Sequence, residues 1–76
     1  MKKVSVNLNE SALIKAFVNI INKYPFEMDL RSGRYLVDAK SILGIFSLDL
    51  SKPIELVAHT DDATAFFADI KQFIVE

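Results

Sequence analysis

The sequence predicts an α+β domain in which a four-stranded, mostly antiparallel sheet carries its helices on one side. Short segments alternate apolar and polar side chains, as half-buried strands do, and longer segments repeat their apolar residues at helical spacing. Pro25, Gly33 and Pro53 lie between these segments, where turns or helix ends are expected. The predicted order is β-α-β-β-α-β-α. The 76 residues, 51% of them hydrophobic, suffice for a single domain over 1–76.

The first strand and helix follow from the opening third of the chain. Alternation over residues 4–8 predicts the strand. Asn9 is the expected N-cap, because its side chain can accept from free amides of the first turn. Glu10 would then lie in that turn, where the helix dipole favours negative charge. The helical pattern runs from Ser11 to Tyr24, before Pro25, and its predicted buried face contains Leu13, Phe17, Ile20, Ile21 and Tyr24.

A hairpin and a short helix are predicted next. Alternation over 26–31 gives the second strand, and Ser32-Gly33 is a turn signal because glycine accepts positive φ. The third strand, Tyr35 to Ala39, is expected to pair with the second. Ser41 can cap a short, almost wholly apolar helix that runs to about Leu48.

The last strand and helix complete the predicted order. Alternation over 54–59 predicts the fourth strand, although Val57 weakens the pattern. The last helix is expected to begin at Thr60 or Asp61. Its predicted buried face contains Ala63, Phe66, Phe67, Ile70, Phe73 and Ile74.

Composition argues against several classes of function. With 9 basic and 10 acidic residues the net charge is −1, so nucleic acid is not an expected partner. No apolar run is long enough to cross a membrane, and the opening residues do not resemble a secretory signal, so we expect a cytoplasmic protein. The chain has no cysteine and only two glycines. We therefore expect no disulfide and no phosphate-binding loop. The pattern shows no close pair of carboxylates and no nucleophile–base pair, so we also expect no cofactor, metal site or enzymatic activity.

One nine-residue segment carries a family resemblance. Lys40-Ser41-Ile42-Leu43-Gly44-Ile45-Phe46-Ser47-Leu48 resembles the K-S-I-[ML]-G-[VIL]-[ML]-S-L motif of HPr, the histidine-containing phosphocarrier of the sugar phosphotransferase system. The resemblance extends without gaps from about Glu10 to Ile74. It implies an open-faced β-sandwich with its helices on one side of the sheet.

The resemblance also implies that the phosphorylatable histidine is missing. The family motif G-[IL]-H-A-R-P-A opens the first helix, and its histidine receives phosphate from Enzyme I. In this chain Glu10 occupies the histidine position and Ala12 the arginine position. A phosphocarrier role is therefore not expected. The only histidine, His59, matches no functional position of the family and is expected to be an ordinary surface residue.

The short helix carries the remaining candidate sites. Ser41 matches the serine that a dedicated kinase phosphorylates in HPr of many Gram-positive bacteria, although a plain N-cap would also explain a serine there. Ile42, Leu43 and Phe46 match the family's partner-docking patch. Alternatively, the helix sinks deeper into the core or pairs with a second copy of the chain. Glu10 either imitates a phosphorylated site or simply complements the helix dipole.

These observations predict an HPr-like protein that acts through protein–protein contacts and is regulated at Ser41. Its expected partner is a protein such as an HPr kinase or a transcription regulator, and its expected state is a monomer or a weak homodimer. It resembles the catabolite-repression paralogue of HPr, which also lacks the histidine but keeps an arginine at the position of Ala12. Two alternatives stay open: a phosphocarrier that uses another residue such as His59, and a degenerate structural or dimerising module.

Overall fold

The computed structural model describes residues 1–75 and contains an open antiparallel sheet with helices on one side, which confirms the predicted fold class. Five strands lie in the order β3-β2-β4-β1-β5, and each neighbouring pair is antiparallel. The elements in chain order are β1 (Lys2–Val6), α1 (Ser11–Ile21), β2 (Met28–Ser32), β3 (Tyr35–Asp38), α2 (Ile42–Phe46), β4 (Ile54–Ala58), α3 (Thr64–Asp69), a 3-10 turn (Lys71–Phe73) and β5 (Ile74–Val75).

The predicted hairpin joins β2 to β3 through a two-residue loop. Gly33 has a φ of +59°, and no other residue within 1–75 has positive φ. A glycine with positive φ at the first position of a two-residue loop is typical of a type II′ turn, whose twist matches that of the flanking strands. The loop sets the register, with Ser32 opposite Tyr35 and Leu30 opposite Val37.

The core lies between the sheet and the helices. Each of the three inner strands contributes fully buried side chains, and α1 contributes Ile14, Phe17 and Ile21. Phe17 meets Phe73 edge to face, with ring centroids 5.5 Å apart, so α1 is joined directly to the C-terminal segment. Burial of each such large side chain is worth about 1.5–3 kcal/mol. In a chain of this size, these contacts supply most of the stabilisation.

The N-cap of α1 differs from the prediction, although the helix begins at Ser11 as expected. Glu10, not Asn9, is the N-cap, with extended backbone angles (φ −135°, ψ 144°) and no side-chain capping hydrogen bond. The Asn7 N–H donates to the Phe73 carbonyl (2.8 Å), so contact with the C-terminal segment helps to set the path from β1 into α1. The buried stripe of α1 also includes Ile14, which was not predicted, whereas Leu13 and Ile20 lie at its half-buried margins.

The C-terminal third also departs from the predicted helix. The Asp62 carboxylate accepts from the Thr64 N–H (3.0 Å), and α3 begins only at Thr64. After the 3-10 turn, Ile74 is extended and pairs with Val6 of β1 as part of a fifth strand, so it does not belong to the helix. Free backbone groups on the open side of β1 explain why strand pairing prevails over the helical pattern there.

Candidate functional site

Ser41 occupies the N-cap of α2. Its backbone is extended (φ −97°, ψ 109°), and its hydroxyl oxygen accepts from the Gly44 N–H at 3.2 Å. The Ser41 carbonyl accepts the first intrahelical bond, from the Ile45 N–H at 3.0 Å. The side chain remains exposed to solvent. Ser41 is therefore both a structural cap and an accessible hydroxyl beside free helix amides, an environment that favours a phosphate.

The outer face of α2 is apolar and exposed. Ile42, Leu43 and Phe46 are 37%, 82% and 49% exposed, whereas Ile45 on the opposite face is fully buried. These three residues, here named the α2 patch, are those that the resemblance assigns to partner docking. Five helical residues cannot bury apolar side chains all round, so this helix presents an apolar surface to water. Such surfaces commonly mark interaction sites.

Two contacts hold α2 against the rest of the molecule. The Lys40 ammonium donates to the Tyr24 carbonyl at 2.6 Å and thus ties the residue before the Ser41 cap to the chain that leaves α1. On the other side, a Cβ on Gly44 would lie only 3.3 Å from the Cβ of Val37. Glycine therefore lets the helix approach β3 closely. The position of the α2 patch is set by tertiary contacts at both places.

Hydrogen bonds shift the pKa of the half-buried Tyr24 and of two exposed carboxyl groups. Tyr24 donates to the Asp69 carboxylate, and this bond raises the pKa of Tyr24 above its ordinary value. The Ser51 hydroxyl and N–H donate to Asp49 and lower the pKa of that carboxyl. The Thr64 N–H likewise lowers the pKa of Asp62. None of these groups belongs to the predicted site.

The N-terminus of α1 presents a carboxylate and a methyl group. Glu10 and Ala12 are both exposed, and the Glu10 carbonyl accepts from the Ile14 N–H at 3.1 Å. The first amides of the helix have no intrahelical acceptor and point towards this end. An imidazole and a guanidinium are both missing from the positions where the resemblance expects them.

His59 lies at the other end of the sheet. The β1–β4 register pairs Val6 with Ile54 and Lys2 with Ala58, so His59 follows the end of β4 that is remote from the start of α1. The two ends of β4 lie about 13 Å apart along the strand. The imidazole Nε2 is 2.6 Å from a carboxylate oxygen of Asp29, which places the two side chains within hydrogen-bond distance. His59 therefore cannot replace the missing imidazole at the start of α1.

Two exposed residues outside the predicted site were missed by the sequence reasoning. Tyr35 and Leu36, on the edge strand β3, are 70% and 62% exposed. The signal was present, because three successive apolar residues in a strand must place at least one on each face of the sheet. Over the described part of the chain, no cluster of three metal-ligating side chains occurs, and no helix has the length and apolarity of a membrane span.

Comparison with known proteins decides the family. The family model described as "PTS HPr component phosphorylation site" matches residues 12–76. The chain belongs to the HPr family. This confirms the predicted family and relates the chain to the phosphotransferase system, whose HPr proteins work by contact with other proteins. The match includes the α2 patch and Ser41 and begins after Glu10.

Solved HPr structures share the fold over nearly the whole chain. HPr-C-His from Thermoanaerobacter tengcongensis superimposes with a TM-score of 0.78 at 25% identity, over 95% of this chain and 89% of that one. The phosphocarrier protein HPr from Bacillus anthracis str. Ames gives a TM-score of 0.75 at 24% identity, over 97% and 94% of the two chains. At that identity the second likeness concerns the fold alone. No curated protein matches the sequence significantly.

Proposed function

We propose that this chain is an HPr-family protein that does not relay phosphate and acts by protein–protein contact through the α2 patch, under the control of Ser41. The observation that carries the proposal is the pairing, on one short helix, of an exposed N-cap hydroxyl with the exposed Ile42, Leu43 and Phe46. A phosphate added to Ser41 would alter the charge at the edge of an apolar docking surface. Addition or removal of that charge would switch partner affinity.

The start of α1 supports the absence of phosphate relay. Transfer through HPr needs an imidazole that takes phosphate on a ring nitrogen and a cation that stabilises the added charge. Glu10 and Ala12 provide neither, and His59 lies at the opposite end of the sheet. Glu10, at the N-cap, brings a negative charge to the positive end of the α1 dipole, which supports a dipole-complementary role.

The first experiment tests phosphate acceptance. The chain is incubated with phosphoenolpyruvate and Enzyme I, and its mass is measured under conditions that preserve phosphohistidine. We expect no added phosphate. The double variant Glu10→His/Ala12→Arg should acquire acid-labile phosphate, because it restores both missing groups at the helix end. Asn9→His/Ala12→Arg is the matched control and should stay unlabelled. Labelling of the unaltered chain would overturn the proposal.

The second experiment tests the regulatory hydroxyl. The chain is incubated with an HPr kinase and ATP, and the product is mapped by mass spectrometry. We expect one added phosphate on Ser41 and none in Ser41→Ala. Ser47→Ala is the control, because Ser47 lies at the other end of the same helix, where its hydroxyl donates to the Gly44 carbonyl (2.6 Å). Phosphate on Ser47, or none on either serine, would contradict regulation at Ser41.

The partner that fits this proposal is a protein with an apolar surface and a means of sensing phosphate. An HPr kinase and a transcription regulator both meet that description, and both would act in the cytoplasm. The serine cap and the three exposed apolar residues of α2 argue against the alternative of a degenerate structural module. An exposed apolar patch on a small domain favours a docking role over a purely structural one.

A further inference from the structure

The outer edge of β3 has free backbone groups. The strand ends the sheet order β3-β2-β4-β1-β5, and within residues 1–75 no strand pairs with its outer side. The Ala39 N–H donates inwards, to the carbonyl of Met28, the first residue of β2 (3.0 Å). Because alternate residues of an antiparallel strand direct their backbone groups to opposite sides, Val37 and Tyr35 also point inwards, and Leu36 and Asp38 point outwards.

The side chains along this edge are self-complementary. Arg34 and Asp38 are both exposed and are equally spaced on either side of Leu36. When two copies of the segment Arg34-Tyr35-Leu36-Val37-Asp38 run antiparallel with Leu36 opposite Leu36, each Arg34 faces the Asp38 of the other copy. The same register sets the exposed Tyr35 against Val37 of the second copy.

The faces of the sheet agree with this register. Val37 pairs with the buried Leu30, so Tyr35 and Val37 lie on the helix-covered face. Leu36 therefore lies with Asp38 on the open face, and Arg34, the second residue of the hairpin loop, stands opposite Asp38 of the second copy at the end of the paired edge. In this register the apolar contacts of the strand and the ionic contacts at its ends form together.

We propose that the β3 edge is a self-association surface, through which two copies of the chain pair as an antiparallel, isologous dimer centred on Leu36. The two Leu36 residues exchange N–H to carbonyl hydrogen bonds, and the two Arg34–Asp38 pairs flank them. The Asp38 carbonyl already accepts from the Ser41 N–H (3.0 Å), which limits the length of the paired edge. With so short an interface, the dimer is weak and forms as concentration rises. This inference does not depend on the role proposed for Ser41.

The test is sedimentation equilibrium of the full chain from micromolar to millimolar concentration. We expect a monomer–dimer equilibrium that Leu36→Pro weakens roughly tenfold or more, because proline removes the central N–H donor of each copy. Leu36 makes no inward N–H bond, so the variant keeps the β2–β3 ladder, and proline is accepted at such edge positions. Leu36→Ala keeps the N–H and should retain most of the association.

A charge variant tests the same interface independently, in case the proline variant does not fold. Arg34→Asp places carboxylates opposite one another and should weaken the dimer roughly tenfold, whereas Arg34→Lys should not. Arg31→Asp is the matched control, because it makes the same change of charge on the neighbouring strand β2 and should have little effect on dimer formation. A monomer at every concentration overturns the proposal. A dimer that survives both Leu36→Pro and Arg34→Asp would also overturn it and would place association elsewhere, for example at the α2 patch.

Discussion

At the scale of single residues, Ser41 combines a structural role as the cap of α2 with a proposed regulatory role. Stability measurements can test the structural role separately. Its hydroxyl oxygen caps the first turn of α2 and remains exposed, so the same atom is both a hydrogen-bond acceptor and a candidate phosphate acceptor. Glu10 occupies the corresponding place on α1 and makes no side-chain cap. The two helix starts therefore differ in what each side chain contributes to folding.

Substitution of Ser41 should cost stability even when no kinase is present. Ser41→Ala removes an N-cap acceptor, so we expect the free energy of unfolding to fall by about 1 kcal/mol. Ser11→Ala makes the same chemical change at an exposed serine of α1 that caps nothing, and should alter it by less than about 0.5 kcal/mol. Urea denaturation of both variants provides the measurement. An equal effect of the two substitutions would mean that the Ser41 cap contributes nothing to the free energy of unfolding.

At the scale of elements, α2 is too short to be stable alone, so its position depends on its neighbours. An isolated helix of five residues does not form in water. The Lys40–Tyr24 contact and the close approach of Gly44 to Val37 hold it in place. The same short length leaves the α2 patch uncovered, which links local geometry to the proposed docking role.

Docking through α2 predicts that an exposed leucine matters more for binding than for folding. Leu43→Asp should slow phosphorylation of Ser41 by an HPr kinase roughly tenfold, because the partner loses a central apolar contact. The free energy of unfolding should change by less than about 0.5 kcal/mol, since Leu43 is 82% exposed. Leu36→Asp introduces the same charge at an exposed leucine outside the helix. At low micromolar concentration, where the weak dimer proposed above is not populated, its phosphorylation rate should match that of the unaltered chain. Equal rates for both variants would rule out the α2 patch as the docking surface.

At the scale of the whole molecule, contacts between distant parts of the chain join the helices over the sheet. The Phe17–Phe73 contact joins α1 to the C-terminal segment, and the Tyr24 ring packs on Phe66 of α3 with centroids 5.0 Å apart. The Tyr24 hydroxyl extends this contact with its hydrogen bond to Asp69. Stability therefore depends on links between the first helix and the last.

The Tyr24–Asp69 hydrogen bond predicts an alkaline dependence of stability. The bond raises the folded-state pKa of Tyr24 above its ordinary 10.0, so its contribution is complete below that pH and is lost as pH rises through the higher folded value. Tyr24→Phe keeps the ring contacts but should lower the free energy of unfolding at neutral pH and reduce its decline above pH 10.0. Tyr35→Phe, at a 70% exposed tyrosine, is the control and should do neither. Denaturant titrations across alkaline pH make the comparison, and identical profiles for Tyr24→Phe and the unaltered chain would contradict it.

Most of the architecture was predictable from local pattern. The alternating or helical spacing of apolar residues indicates which side chains are buried, because each strand or helix turns its apolar face towards the core. The β2–β3 hairpin, α1, the Ser41 cap and β4 follow from such signals, as does the apolar character of α2. The resemblance around Lys40–Leu48 added the family, which the comparison confirmed.

What only the tertiary structure decided concerns pairing in space. The spacing of Ile74 predicts a helix, but the free side of β1 provides hydrogen-bond partners that draw it into a strand. The Asn7–Phe73 bond accompanies an N-cap at Glu10 in place of the predicted Asn9. Likewise, the apolar run Tyr35-Leu36-Val37 indicates a strand but not that the strand lies at an open edge. The physical reason is that burial periodicity is local, whereas hydrogen-bond partners and sheet edges depend on residues far away along the chain.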